Sequence, residues 1–234
     1  SDTSYDFTFT VTDNDGDSAS ASTTATVGAT DTSGLNADTV QSSDADVASG
    51  TARDVTVNGL PAGAQLAEGT YTGAYGTITV DADGKATYTQ TGLYDHTGVG
   101  SGTDAKTGAD SITIKVELAD GTTVEVTVGV DIADDVPSIS VDTPATGAYG
   151  SEITGSVDMA FGADGEKSVT VKLGNETVTG TKGTDGNYTF TFADGTVLTL
   201  NGSNGDFSYN GLPASGSDTS YDFTFTVTDN DGDS

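Results

Sequence analysis

The segment Thr12-Asp13-Asn14-Asp15-Gly16-Asp17-Ser18 sets three carboxylates at positions i, i+2 and i+4 of a loop in which a glycine permits a sharp turn. Short Asp side chains spaced in this way can converge on one oxygen-seeking cation. Ca2+ takes six to eight oxygens at about 2.3–2.6 Å with flexible geometry, so it suits such a loop better than Mg2+. The same letters return as Asp229, Asp231 and Asp233. An EF-hand is excluded, because its twelfth position is a Glu and here that place holds Thr24. The spacing is equally that of an ordinary Asp/Gly hairpin turn, and the loop alone leaves both readings open. A second group, Asp131, Asp134 and Asp135, stands just before Val136-Pro137. It reads as an ion-stiffened linker or as a solvated hinge.

Other chemistries find few residues to work with. The chain has no Cys, which removes disulfides, thiol catalysis and zinc–thiolate sites. His96 is the one histidine, too little for a His-based metal centre. No Gly-rich loop carries a phosphate-cradling Lys, and no Ser and His stand in a pattern that suggests a triad, so no enzyme is expected. With 7 Lys and Arg against 36 Asp and Glu, nucleic acid is an improbable partner. No apolar run approaches the ~20 residues of a membrane span, and the first residues lack the basic-then-apolar layout of a leader, so no membrane insertion is expected.

The acid excess gives a formal charge of −29, and it is lopsided: 30 Asp against 6 Glu. A surface acidic only for solubility can use either residue. Asp favours turns and places a carboxylate close to the backbone, where several can meet. A halophile-like surface remains the plainer alternative to calcium loading.

The elements that must hold these loops are strands. Ile112, Ile114, Val116 and Leu118 alternate with Thr113, Lys115 and Glu117; Val124, Val126, Val128 and Val130 do the same, as do Tyr221, Phe223, Phe225 and Val227. Period-two alternation with one apolar face marks half-buried antiparallel strands. Asp-Gly or Asn-Gly pairs at 83–84, 120–121, 164–165, 185–186, 194–195 and 210–211 punctuate them. No stretch has a helical period. The reading is all-β: tandem immunoglobulin-like, cadherin-like β-sandwich domains joined by short Asp-rich linkers.

Residues 1–18 and 217–234 are identical, a repeat with a period of 216 residues that marks the chain as part of a tandem array. Such a period fits two ordinary domains. The expected division is a hairpin of a preceding domain at 1–28, a sandwich at 29–136, and a second sandwich at 137–234 that lacks its last strand. Strand exchange is then expected, with residues 19–28 of one molecule completing the 137–234 domain of another.

Topology links the two acidic groups. In an immunoglobulin-type sandwich the loop joining the last two strands lies at the end where the chain enters. Asp229, Asp231 and Asp233 should therefore meet Asp131, Asp134 and Asp135, and Asp120 should likewise face Asp31. Several Ca2+ ions are expected across these places and the Asp13, Asp15 and Asp17 loop.

The TVTDNDGDSAS hairpin, the ELADGTT and VGVDIADDVPSI segments and the two-domain tandem repeat resemble extender repeats of giant RTX adhesins exported by type I secretion. The DIADDVP stretch is also similar to the Asp-rich linker of cadherins. The resemblance spans essentially the whole chain, although the glycine-rich nonapeptide of RTX proteins is missing. It implies a calcium-stiffened spacer on a bacterial cell surface, extracellular, flanked by neighbouring repeats and holding an adhesive tip away from the cell. The alternative is a Ca2+-dependent adhesion module that itself binds carbohydrate or a surface.

Overall fold

The computed structural model describes residues 3–96, 105–212, 215 and 220–234. The chain is all-β. Its one α-helix among the described residues is the single turn Ala45–Ser49, which ends at Gly50 in the left-handed region at φ 67°. Among the described residues no helix is long and apolar enough to cross a membrane.

Two hydrophobic cores form, each between facing sheets. The first lies between a sheet ordered Val40–Ser43, Thr123–Ala133, Ala105–Glu117, Gln65–Leu66 and another ordered Ala52–Val55, Ala86–Gln90, Gly76–Val80, Gly69–Thr72. The alternating residues of the sequence supply it: Ile112, Ile114, Val116, Val126, Val128 and Val130 are buried against Ile78, Val80 and Tyr88. Ile112 pairs with Val128, Ile114 with Val126 and Val116 with Val124, so both strands of this hairpin point one row inward. Val130 runs beside Val40 in the parallel pairing that closes the sheet.

The second core lies between a six-stranded sheet and a three-stranded one, the latter ordered Glu176–Thr179, Glu166–Leu173, Phe223–Asp229. Val169, Val171 and Val227 pack there with Phe190, Leu198, Leu200 and Phe207. The Phe207 ring lies 5.0 Å from Phe225 and 6.0 Å from Phe223. Two sheets over one core, twice, is consistent with β-sandwich packing. Phe223–Asp229 pairs with Glu166–Leu173 along one edge, and among the described strands nothing pairs with its other edge.

The hairpin of Thr3–Thr12 and Ser18–Val27 behaves differently. Its strands pair only with each other among the described residues, and every residue is exposed. One face carries hydroxyl pairs, Thr8 with Ser22 at 2.9 Å and Thr10 with Ser20 at 2.8 Å. The other carries Tyr5, Phe7, Phe9 and Val11, exposed at 54%, 49%, 64% and 71%. Their identical counterparts Tyr221, Phe223 and Phe225 are half-buried, and Val227 is 2% exposed. Burying such a side chain stabilises by roughly 1.5–3 kcal/mol, which the lone hairpin forgoes.

Five of the six expected Asp/Asn-Gly turns have their glycine at positive φ. The sixth, Asn210-Gly211, is not a hairpin turn. A Cβ on Gly211 would fall 2.0 Å from the Tyr209 hydroxyl, so here the glycine serves close ring approach.

Candidate metal centre

The acidic loop is built by its own sequence. Asp229 ends the strand Phe223–Asp229; its Oδ1 accepts the N–H of Gly232 at 3.0 Å and of Asp233 at 2.8 Å, while Gly232 takes φ 114°. The exposed copy closes identically: Asp13 Oδ1 accepts Gly16 N–H at 3.1 Å and Asp17 N–H at 2.9 Å, with Gly16 at φ 102°. The same conformation appears in two unlike surroundings, so local Asx-type bonding sets it rather than packing. In each loop one Asp oxygen organises the backbone.

Three more segments bring acids to the 229–233 loop. Asp134 and Asp135 follow the strand Thr123–Ala133. Asp164 sits in the turn before Glu166–Leu173, and Asn230 fastens that turn, donating from Nδ2 to the Asp164 carbonyl at 2.7 Å and from its backbone N–H to the Gly165 carbonyl at 3.1 Å. Asp135 Oδ2 accepts the Ala163 N–H at 2.6 Å. Asp44 donates its backbone N–H to the Ala133 carbonyl at 3.0 Å, which lays it beside the end of the same strand.

Ligand atoms from Asp134, Asp231 and Asp233 lie within 4.8 Å of one another, as do those of Asp134, Asp135 and Asp164, and those of Asp44, His96 and Asp134. Asp134 belongs to all three groups. The cluster thus joins acids from the end of the first core to acids from two turns of the second.

Burial makes this arrangement costly without a cation. Asp44 and Asp229 are 0% exposed and Asp134 is 4% exposed. Asp134 Oδ1, Asp135 Oδ1, Asp164 Oδ2, Asp229 Oδ2 and both oxygens of Asp231 have no hydrogen-bond partner. Native interiors rarely leave buried carboxylate oxygens orphaned, because an uncompensated buried charge is among the costliest defects of a fold. In three of these acids the affinity for a proton is raised. Burial first, then a carboxyl hydrogen bond with Asp233 and the charges of Asp231, Asp233 and Asp164, pushes Asp134 up to about 8. Burial and neighbouring acids raise Asp164 and Asp231 to about 6 each. Arg53, Lys85 and Lys182 are engaged elsewhere, with Asp46, Asp54 and Glu166. The donor set therefore fits a hard divalent cation: convergent oxygens, excess negative charge and orphaned lone pairs. A cavity of about 260 Å³ lined by Tyr94, Asp95, Asp164 and Asp231 gives access.

The structure separates some residues that the sequence reading grouped. Asp131 is drawn away from the cluster: its Oδ1 accepts the Gly108 N–H at 2.7 Å and its Oδ2 accepts Gln41 Nε2 at 3.0 Å, a consequence of its place opposite Gln41 in the sheet. Asp31 and Asp120 are not brought together in any of the clustered groups of described residues. Each closes its own turn, Asp31 onto the Ser33 N–H and Asp120 onto the N–H and hydroxyl of Thr122. These bonds hold both carboxyls below the usual range. Asp13, Asp15 and Asp17 do form a group, fully exposed.

Asp44, Asp164 and His96 are members that the sequence reading did not place at the site. Asp164 carried a signal, since its Ala-Asp-Gly turn is of the same kind as the other loops. Asp44 and His96 carried none, because only the folded chain brings position 96 to position 44. In a comparison with known proteins, no family model matches the chain and no curated protein matches it.

Proposed function

We propose that the chain is a structural extender module: two immunoglobulin-like, cadherin-like sandwiches in tandem, locked at their junction by Ca2+. The observation that carries this reading is the convergence of buried carboxylate oxygens without a hydrogen bond, one each from Asp134, Asp135, Asp164 and Asp229 and both from Asp231. A cation there would cross-link the end of one sandwich to two turns of the next. The ion supplies charge neutralisation and rigidity, and no catalysis is implied. The residues that would hold it are Asp134, Asp135, Asp164, Asp229, Asp231 and Asp233.

An extender has neighbours, and the exposed hairpin supports a repeating string. Its apolar row is the same sequence that sits half-buried on the second core as Tyr221, Phe223 and Phe225. Among the described strands, Phe223–Asp229 also has an unpaired edge. The strand Ser18–Val27 of a neighbouring repeat or molecule fits that edge in the register it now holds with Thr3–Thr12, which would set Thr23 opposite Phe223 and Ala21 opposite Phe225. The resemblance to extender repeats of RTX adhesins supports a string that lies outside a bacterial cell, between its surface and a distal binding region.

A ligand-binding module is the second reading. It rests on a hollow of about 820 Å³ beside the six-stranded sheet, lined by hydroxyls and amides such as Thr143, Ser156, Asn187 and Ser208. No acid of the junction cluster lines it, so an adhesive role there would not explain the orphaned carboxylates. Thermal melting and small-angle scattering with and without EDTA test the extender reading. Chelation should lower the melting temperature and broaden the range of end-to-end distances. Unchanged stability and shape would refute the calcium lock.

A further inference from the structure

His96 is 2% exposed and Asp44 is 0% exposed, and His96 Nε2 lies 3.0 Å from Asp44 Oδ2. That approach lacks hydrogen-bond alignment: Nε2 and Oδ2 have no hydrogen-bond partner, nor do His96 Nδ1 and Asp134 Oδ1. A buried imidazole with neither nitrogen in a hydrogen bond, and with Nε2 at ion-pair distance from one of two buried carboxylates, is rare in a folded interior. Two donors each about 2.0–2.2 Å from one ion stand about 3 Å apart at an octahedral angle and about 3.3–3.6 Å apart at a tetrahedral one. The 3.0 Å between Nε2 and Oδ2 matches the octahedral spacing and is also that of an ion pair.

The surroundings hold these donors in place. Asp44 Oδ1 accepts Gln90 Nε2 at 2.6 Å and the Tyr94 N–H at 2.9 Å, which leaves Oδ2 turned to the imidazole. Ser42 Oγ donates to Gln90 Oε1 at 2.7 Å and so fixes which end of the Gln90 amide faces Asp44. The imidazole stands edge-on to Tyr94 at 5.0 Å, and Tyr94 packs on Tyr75 at 5.2 Å. Outer partners that orient a ligand in this way are characteristic of built metal sites. Asp44 also occupies the N-cap position of the helix Ala45–Ser49 without capping it by its side chain. Its carboxylate is committed elsewhere.

We infer that Asp44, His96 and Asp134 form a second, chemically distinct site for a divalent transition ion of the Zn2+, Co2+ or Mn2+ class. Imidazole nitrogen selects this class over Ca2+ and Mg2+, which prefer oxygen shells, and two carboxylates balance the double charge. The site shares Asp134 with the calcium cluster but does not require that cluster to bind calcium. Beside a calcium lock it would fasten the loop carrying His96 to the junction.

Cobalt titration of the full chain in saturating calcium tests the inference, read by visible absorption, with calcium binding followed calorimetrically in parallel. One equivalent of Co2+ should bind with ligand-field bands, and Zn2+ should displace it. His96→Phe, which keeps the ring packing on Tyr94, should weaken cobalt binding by at least about tenfold while calcium stoichiometry is unchanged. Asp44→Asn, which keeps an acceptor for Tyr94 and Gln90, should do the same. The inference is overturned if the unaltered chain takes up no cobalt beyond what calcium displaces, or if both variants bind it as tightly. Cobalt uptake at His96 without any calcium binding would leave this site standing and refute the calcium lock alone.

Discussion

At the scale of single residues the centre of the account is Asp134, which belongs to three of the four clustered groups and is pushed up to about 8 by burial and by its acidic neighbours. Its removal should have opposite effects with and without the ion. In EDTA, Asp134→Asn relieves repulsion and should raise the melting temperature. In calcium it deletes a shared ligand and should forfeit most of the ion's stabilisation, about 2.7 kcal/mol at free calcium 100 times the dissociation constant. Differential scanning calorimetry in the two buffers checks the crossing; a change of the same sign in both would contradict it. The pH dependence follows from the same shifts. Ion-free, the folded values of Asp164 and Asp231 stand at about 6 and that of Asp134 at about 8, above the roughly 3.9 of an unfolded Asp. A raised folded value means that stability is fully present below pH ~4 and is lost as pH rises through 6 and then 8. The EDTA-treated protein should therefore melt at lower temperature at pH 9 than at pH 5. Saturating calcium should flatten or invert that slope, because the cation holds the ionised form.

At the scale of elements, the loops and strands were legible in the sequence for local reasons, and the site was legible only in part. Alternation gave Ile112–Leu118 and Val124–Val130 their inward rows because a strand's side-chain period is fixed at two. The 229–233 loop was readable because its conformation is local, as its exposed twin at 13–17 shows. Asp131 could not be told from Asp134 by letters. Three positions along a strand end decide whether a carboxylate meets Gln41 or the cluster, and register sets that. His96 and Asp44 meet across 52 positions through the Gln90 and Tyr94 contacts, which no local pattern encodes. The hairpin Thr3–Val27 carries the element-scale prediction. Ala21 stands opposite Phe9 on the apolar face and is exposed, so Ala21→Asp leaves both cores untouched. Sedimentation velocity should show concentration-dependent association of the unaltered chain that Ala21→Asp abolishes. Association that survives the substitution, or none in either protein, would contradict strand exchange.

At the scale of the whole molecule, a formal charge of −29 opposes compaction, and each bound Ca2+ removes two units of it. The acids are not interchangeable in this respect. Asp120, Asp185 and Asp194 close exposed turns through nearby N–H groups and hydroxyls, and all three are held below the usual carboxyl range by those bonds. At the junction Asp229 and Asp135 each use one oxygen in this way, while their second oxygens and both of Asp231 have no hydrogen bond. Calcium should therefore act there first, and monovalent salt, which screens exposed charges more than buried ones, should substitute for it poorly. The most direct measurement is a calorimetric calcium titration of the unaltered chain against the Asp134→Asn/Asp231→Asn double variant at pH 7. The unaltered chain should bind calcium saturably and release protons, since Asp134 must give up its own to become a ligand. The double variant should retain only weak binding without that proton release. Identical isotherms, or no binding by the unaltered chain, would contradict the calcium-locked junction.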